Sequence, residues 1–156
     1  MKTVTEFEDF LELLHDHKVR YVIIGGLAFI FHVKPRYTKD MDLWIDPSVR
    51  NVRRANEALA EFGSPLLLDE KRPEEILQIG VAPHRIDMML QASGVRFETA
   101  WDKRISGRYG NARANWVDLN TLIRIKSRIK HPRHREDVRE LREVLKLRRG
   151  KSMKSS

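Results

Sequence analysis

A short apolar run that ends in a glycine pair is the feature that most constrains the fold of this chain. Tyr21–Ile24 has the composition of a buried strand, Gly25-Gly26 permits a tight turn, and residues 27–33 form a short apolar helix that stops before Pro35. The helix N-terminus would present free N–H groups to phosphate oxygens. A glycine pair alone is also compatible with a simple strand-to-helix turn.

The next predicted strand spans residues 41–45, with Asp42 inside it and Asp40 just before it. Asp40 and Asp42 are two residues apart, and side chains at i and i+2 on a strand point to the same face. Their carboxylates can therefore converge on one hard cation such as Mg²⁺, whose preferred ligands are oxygens. By contrast, Asp46 and Asp118 precede predicted helices and are interpreted as turn formers or helix caps.

A third carboxylate, Asp87, lies in the predicted apolar strand of residues 84–90. A charged side chain in an apolar strand carries a solvation cost and so calls for a functional explanation. If this strand neighbours the first, three carboxylates line one wall. Phosphoryl and nucleotidyl transfer use such sites, because the metal neutralises charge on the phosphates.

These residues resemble the active-site signature of the polymerase β-like nucleotidyltransferase superfamily. The resemblance is closest to small prokaryotic proteins related to abortive-infection toxin nucleotidyltransferases and aminoglycoside or lincosamide nucleotidyltransferases. It covers about residues 20 to 141. The matching segments are Gly25-Gly26-Leu27-Ala28, His32, Pro35-Arg36, Thr38-Lys39-Asp40-Met41-Asp42 and the later Asp87.

The resemblance implies a fold class, an activity and a set of site residues. The expected fold is α/β (α+β), a small mixed sheet flanked by helices with a helical C-terminus. The expected reaction moves a nucleoside monophosphate from an NTP, with ATP as the expected nucleotide, to a hydroxyl of an acceptor. Asp40 and Asp42 would hold two Mg²⁺ ions, and Asp87 would bind one of them and activate the acceptor. Gly25 and Gly26 would cradle the triphosphate.

Three further residues are candidates for nucleotide binding. Arg36 precedes the carboxylates, and a guanidinium offers a planar fork of donors to a phosphate. Thr38 either contributes to the site or only shapes the turn. By resemblance, Lys126 contacts the triphosphate and Asp137 orients a helix or a basic side chain. In this region His131, Arg133 and His134 replace residues of the family pattern. The alternative for Lys126 is an ordinary surface lysine on a basic helix.

Two aromatic or imidazole side chains near the signature have other interpretations. His32 is expected to be a partly buried, hydrogen-bonded histidine rather than a ligand. Trp44 is expected in the core, although it shares the parity of the two aspartates and could border a nucleotide base.

Composition limits the size and class of the protein. The 156 residues, 41% hydrophobic, fit a single domain, which we place at residues 1–148 with a disordered basic tail at 149–156. The absence of cysteine excludes disulfides, thiol nucleophiles and Cys-ligated zinc. The expected compartment is the cytoplasm, without a membrane partner, because neither a secretory signal nor a spanning apolar run is evident.

The basic character of the chain is concentrated at its C-terminus. Residues 124–156 contain 13 Lys or Arg and 4 acidic residues, whereas residues 1–123 contain 17 Lys or Arg and 18 acidic residues. One explanation is a basic helix face exposed to solvent, followed by a disordered tail. The other is that residues 124–149 form a surface that binds RNA or protein. The alternative function is therefore a non-catalytic nucleotide-binding or toxin–antitoxin interaction module, and a third is an RNA-tailing enzyme. By resemblance, a homodimer is expected.

The remaining patterns predict the elements around this core. A Thr5–Glu8 capping box is expected to begin the first helix, and Gly63 to end a helix that starts after Ser48. Residues 73–79 are expected to form a short helical turn. The other predicted elements are a strand at residues 112–117 and helices at residues 119–129 and 134–147.

Overall fold

The computed structural model describes residues 2–80, 83–129 and 132–154. Along the chain its elements are α1 (Thr5–Asp16), β1 (Tyr21–Ile24), α2 (Gly25–His32), β2 (Asp40–Ile45), α3 (Val49–Phe62), β3 (Ile76–Ile79), β4 (Arg85–Met89), α4 (Phe97–Asp102), β5 (Ile105–Tyr109), β6 (Ala112–Trp116), α5 (Leu119–Ser127) and α6 (Pro132–Lys154). None of the helices in these described parts has both the length and the apolar character required to cross a membrane.

The described strands form one mixed sheet with the order β3-β4-β2-β1-β6-β5. Strand β1 pairs antiparallel with β2 and parallel with β6, and β2 pairs parallel with β4. Strands β3 and β5 lie at the edges and pair antiparallel with β4 and β6. The strands that carry the predicted carboxylates, β2 and β4, are therefore direct neighbours inside the sheet.

Alternate residues of the central strands pack against different helices. Tyr21 and Ile23 of β1 join a core with α1 and α3, whereas Val22 and Ile24 join a core with α2, α4, α5 and α6. Each buried Leu, Ile or Phe contributes about 1.5–3 kcal/mol to stability, so both layers hold the sheet strongly. Because Trp44 belongs to the second core, Asp42, at i−2 on the same strand, faces the same side.

Several predicted helix ends match the structure. The Ser48 side chain accepts a hydrogen bond from the Asn51 N–H at the start of α3, and Gly63 ends that helix with φ +92°. The Asp118 carboxylate accepts from the Thr121 N–H at the start of α5. These features depend on residues close in sequence.

Two local predictions are wrong. Thr5 lies inside α1, whose N-cap is Val4, and Glu8 instead accepts a hydrogen bond from the N–H of Asn111 across the fold. Residues 73–79 do not form a helical turn, because Ile76–Ile79 pair with β4 as an edge strand. In the first place a distant residue replaces the local partner, and in the second the following strand does. The short elements α4 and β5 were not predicted.

The last helix also differs from the prediction at both ends. Helix α6 begins at Pro132, which has no N–H to lose at the first turn, and it continues to Lys154. The sequence predicted disorder from residue 149, yet the chain stays helical there. Lys and Arg are good helix formers even without a packed core. Arg148 also approaches the Nδ1 of His32 at 3.4 Å.

Candidate active site

The fold brings the three predicted carboxylates to one face of two adjacent strands. In the parallel β2–β4 pair, Asp42 is opposite Asp87, and Asp40 is opposite Arg85. This pairing confirms that the strand of Asp87 neighbours the strand of the other two aspartates. Asp40, Asp42 and Asp87 therefore share one face of the sheet. Asp87 is buried, whereas Asp40 and Asp42 are partly exposed.

The glycine pair lies directly against this carboxylate face. Gly25 has φ +68°, and a Cβ added to it would lie 2.9 Å from the Cγ of Asp42. A Cβ on Gly26 would lie 2.8 Å from the Oγ1 of Thr38. Both positions lack room for a side chain, so the first N–H groups of α2 lie beside the Asp42 carboxylate.

Burial and neighbouring negative charge both raise the pKa of Asp42. Burial is the main reason that its pKa is raised to about 7, and the carboxylates of Asp87 and Asp40 raise it further. Lys126 and Arg85 partly oppose this shift. A carboxyl group that holds its proton near neutral pH indicates a site short of positive charge.

Arg85 supplies part of that missing charge, and sequence reasoning did not single it out. Its Nη2 donates to Oδ2 of Asp40 at 3.1 Å, and its Nε donates to Oδ1 of Asp87 at 2.8 Å. The Arg85 side chain is 46% exposed, so it can leave this position without disturbing the core. The signal in the sequence was its spacing: Arg85 is at i−2 from Asp87 and must share its face.

The donor set suits a hard divalent cation. Within residues 2–80, 83–129 and 132–154, no three His, Asp or Glu side chains are already arranged as a complete ligand set for a metal ion. At the three aspartates, the Arg85 guanidinium bridges Asp40 and Asp87. The oxygen donors and the raised pKa of Asp42 together fit a cation such as Mg²⁺.

The predicted phosphate-binding cations meet at Asp137. Arg36 donates to both carboxylate oxygens of Asp137 at 2.7 and 3.1 Å, and the Nζ of Lys126 donates to Oδ2 at 2.9 Å. Arg36 also stacks on Phe29, with its Cζ 4.0 Å from the ring centroid. The Lys126 side chain is 4% exposed, so the alternative of a surface lysine is wrong.

The charges in this network depend on each other. Burial lowers the pKa of Lys126, and its hydrogen bond and charge interaction with Asp137 oppose that effect. Burial opposes ionisation of Asp137, but hydrogen bonds from Arg36 and Lys126 outweigh it and lower the pKa of Asp137. Asp137 thus orients two basic side chains and joins the loop before β2 to helices α5 and α6.

The other residues singled out in the sequence make hydrogen bonds and packing contacts within the fold. The Thr38 hydroxyl donates weakly to the Asp40 carbonyl at 3.4 Å and packs on Gly26. His32 is buried, with Nε2 2.7 Å from the Val117 carbonyl, as expected. Trp44 is 1% exposed and contacts Phe97 edge-on, so it is a core residue. His131 lies outside the described residues.

Two cavities lie near strand β2, and none of the three aspartates is among the described residues that line them. One, of about 710 Å³, lies at the end of the sheet next to Thr38, with aromatic walls from Phe7, Tyr37 and Tyr109. The other, of about 650 Å³, lies beside Trp44 and Asp46 at the end of β2, with Phe97 in its wall. Both volumes are in the range of small-molecule sites.

Comparison with known proteins places this architecture among nucleotidyltransferases. No protein-family model and no curated protein matches the sequence. The fold matches ANT(2″)-Ia in complex with adenylyl-2″-tobramycin, at a TM-score of 0.59 and 13% identity, over 97% of this chain and 98% of that one. It also matches the lincomycin-bound lincosamide antibiotic adenylyltransferase LnuA, at 0.54 and 13%, over 92% and 99%.

A third match is an antigenic nucleotidyltransferase-like protein from Paracoccidioides brasiliensis, at a TM-score of 0.53 and 14% identity, over 93% of this chain and 78% of that one. The chain therefore has the nucleotidyltransferase fold, which confirms the predicted fold class and the resemblance in architecture. At this level of identity the matches establish the fold alone.

Proposed function

We propose that this protein is a nucleotidyltransferase that moves a nucleoside monophosphate from an NTP to a hydroxyl group of an acceptor. The observation that carries the proposal is the geometry around Asp42. Its carboxylate packs on Gly25 at the N-terminus of α2 and is opposite Asp87 on the adjacent strand. A phosphate-binding turn and a carboxylate face are thereby joined at one point.

Each residue has a distinct role in this proposal. The N–H groups at Gly25 and Gly26 would bind the triphosphate, and Asp40, Asp42 and Asp87 would hold the divalent cations. The bound Mg²⁺ ions would neutralise phosphate charge and polarise the reacting oxygens. Arg85 is partly exposed, so it could release Asp40 and Asp87 and turn towards the nucleotide or solvent when cations bind.

The reaction balances with one bond made and one broken. The acceptor oxygen attacks the α-phosphorus, and the bond from that phosphorus to the bridging oxygen of the β-phosphate breaks, releasing pyrophosphate. The proton of the acceptor hydroxyl passes to a carboxylate oxygen of Asp87 and then to solvent. The positive charge of Lys126 acts on Asp42, and in this proposal Lys126 and Arg36 would exchange part of their contact with Asp137 for the phosphates.

The acceptor and the second subunit belong to the same proposal. The 710 Å³ cavity adjoins Thr38 and accommodates a small acceptor, whereas a larger one would lie across the exposed edge of the site. A homodimer that completes the acceptor cleft and ATP as the preferred nucleotide stay predictions based on resemblance. The cytoplasmic location stays a prediction based on sequence composition. Sedimentation of the purified chain would test the dimer.

The direct test follows labelled nucleotide. Purified protein is incubated with each α-labelled NTP and Mg²⁺, with and without cell extract, and the label is traced to protein, RNA or small molecules. We expect transfer that Asp40→Asn or Asp42→Asn abolishes. Asp102→Asn is the matched control, since Asp102 is an exposed acid at the end of α4. No transfer from any NTP and no metal-dependent NTP binding would refute the proposal.

The alternative, a non-catalytic nucleotide-binding or toxin–antitoxin interaction module, makes a different prediction. Its function would survive Asp40→Asn and Asp42→Asn but fail when the basic helices are altered. Deleting residues 124–156 is unsuitable as a test, because Ile125, Val138 and Leu141 belong to the core and their loss would unfold the chain. Substitutions of exposed basic residues on α6 avoid this problem.

A further inference from the structure

One side of helix α6 carries a stripe of basic residues. Five basic residues recur at alternating spacings of four and three, which places them within about 80° of arc on a helix with 100° per residue. The members of this basic stripe are Arg135, Arg139, Arg142, Lys146 and Arg149. The acids Glu136, Glu140 and Glu143 fall on the adjoining sector, farther from the buried Val138 and Leu141.

The basic stripe is solvent-accessible and largely uncompensated. All five side chains are exposed. Within the part of the chain that the structure describes, only Lys146 has a recorded ion pair, at 3.7 Å to Glu143, and exposed pairs of this kind contribute little. The positive charges of the stripe are therefore available to bind an anionic partner on this side of the helix.

A cavity at the start of the stripe has the same character. About 380 Å³ in volume, it lies between α5 and α6, and no acidic residue is among the described residues that line it. Its basic lining residues are Lys126, Arg135, Arg139 and Arg142. A cavity walled by four cations fits a phosphate group, with Lys126 held by Asp137 at the side nearest the carboxylates.

The length of the stripe indicates what kind of anion binds. From Arg135 to Arg149 the helix rises about 21 Å, at about 1.5 Å per residue. A nucleoside triphosphate is too short to engage all five cations. A linear polyanion with regularly repeated charges, such as a nucleic-acid strand, engages the whole row.

We infer that the basic stripe of α6 is a docking surface for a single-stranded nucleic acid, which it holds through the phosphate backbone without reading the bases. None of the described residues that line the cavity is aromatic, consistent with recognition of charge alone. Through Lys126 and Asp137 the stripe leads to the carboxylate face. If the proposed nucleotidyl transfer holds, the strand's terminal hydroxyl is the acceptor; this last step rests on the proposed function.

The test measures binding separately from transfer. Fluorescence anisotropy of a labelled single-stranded RNA is followed with the full chain between about 50 and 200 mM salt, with single-stranded and duplex DNA as parallel probes. Five phosphate contacts to a single strand predict a slope of log K against log salt near about −3.5. Arg135→Gln, Arg139→Gln and Arg142→Gln together should reduce the slope to about −1.4 and weaken binding about a hundredfold near 0.1 M salt.

The matched control removes three charges from the other side of the sheet. Arg50, Arg53 and Arg54 belong to α3, which packs on the opposite core from α6. Their triple change to Gln alters net charge equally and should leave the slope and affinity nearly unchanged. Equal losses in both triple variants would show a non-specific charge effect and overturn the inference, as would the absence of salt-dependent binding by the wild type.

Two further variants separate this inference from the proposed function. A charge-preserving triple change of the stripe residues to Lys should retain most of the affinity, whereas a variant that lost its fold would not. Asp40→Asn should bind RNA as the wild type does while losing transfer. Transfer to a small acceptor with no binding of any nucleic acid would overturn the docking surface and leave the nucleotidyltransferase proposal intact.

Discussion

Replacing Asp42 with asparagine should stabilise the protein while it removes the proposed activity. The Asp42 carboxyl is mostly buried beside two other carboxylates, which raises its pKa from 3.8 to about 7. Asparagine has nearly the same size and carries no charge. It therefore keeps the contact with Gly25 but removes the cost of holding a third negative charge at this face.

The pH dependence of this gain has a defined sign. Because the folded state binds the proton more tightly than the unfolded state, the wild type loses stability as pH rises from 3.8 to about 7. At 1.36 kcal/mol for each pKa unit, the full loss is about 4 kcal/mol. The Asp42→Asn variant avoids it, so its advantage should be about 1.5 kcal/mol near pH 5 and about 4 kcal/mol near pH 8.

Urea unfolding of wild type and variant at both pH values, without divalent cations, measures this difference. Asp102→Asn, at an exposed site, serves as the control and should show no such trend. Mg²⁺ should stabilise the wild type more than Asp42→Asn, because binding to the folded state adds to its stability. An advantage for Asp42→Asn that does not grow with pH, or a loss of stability near pH 8, would refute the electrostatic argument.

Three other changes give separate expectations. Arg85→Gln frees Asp40 and Asp87 from a competing cation, so calorimetric titration should show Mg²⁺ binding about fivefold tighter, and unchanged or weaker binding would contradict this. Gly25→Ala places a Cβ against Asp42 at φ +68° and should cost more than 2 kcal/mol in urea unfolding and abolish transfer. Gly63→Ala, where φ is +92° but space is open, should cost only about 1–2 kcal/mol and preserve transfer. Asp137→Asn leaves two basic side chains without their shared counter-charge and should destabilise the fold by about 3 kcal/mol in the same assay, an expectation that a change under 1 kcal/mol would contradict.

The candidate site shows which features a sequence can predict. Asp40 and Asp42 share a face because strand side chains alternate, and this follows from their spacing alone. The tight turn at Gly25-Gly26 was predicted from the sequence, but the contact between Gly25 and Asp42 was not. Asp87 was proposed from its apolar surroundings, and only the strand order showed that it is opposite Asp42.

The partners in the long-range ion pairs of the site could not be predicted from the sequence. The spacing of Arg85 and Asp87 was visible in the sequence, but the second partner of Arg85, Asp40, is 45 residues away, and that pairing depends on β2 and β4 being neighbours. Asp137 was expected to orient a helix or a basic side chain, and the structure shows that both Arg36 and Lys126 contact it; their contact with phosphates stays a prediction. That network forms only when α5 and α6 pack on α2, and nothing in the local spacing of these residues encodes that packing.

The sequence alone determined the features that depend on residues a few positions apart: the helix ends at Ser48, Gly63 and Asp118, and the alternation that pairs Asp40 with Asp42. The tertiary structure alone decided which distant elements meet. It made residues 76–79 an edge strand and placed Arg85 between two carboxylates. Local features follow from backbone geometry and short-range hydrogen bonds, whereas long-range pairings are selected by the packing of the whole chain.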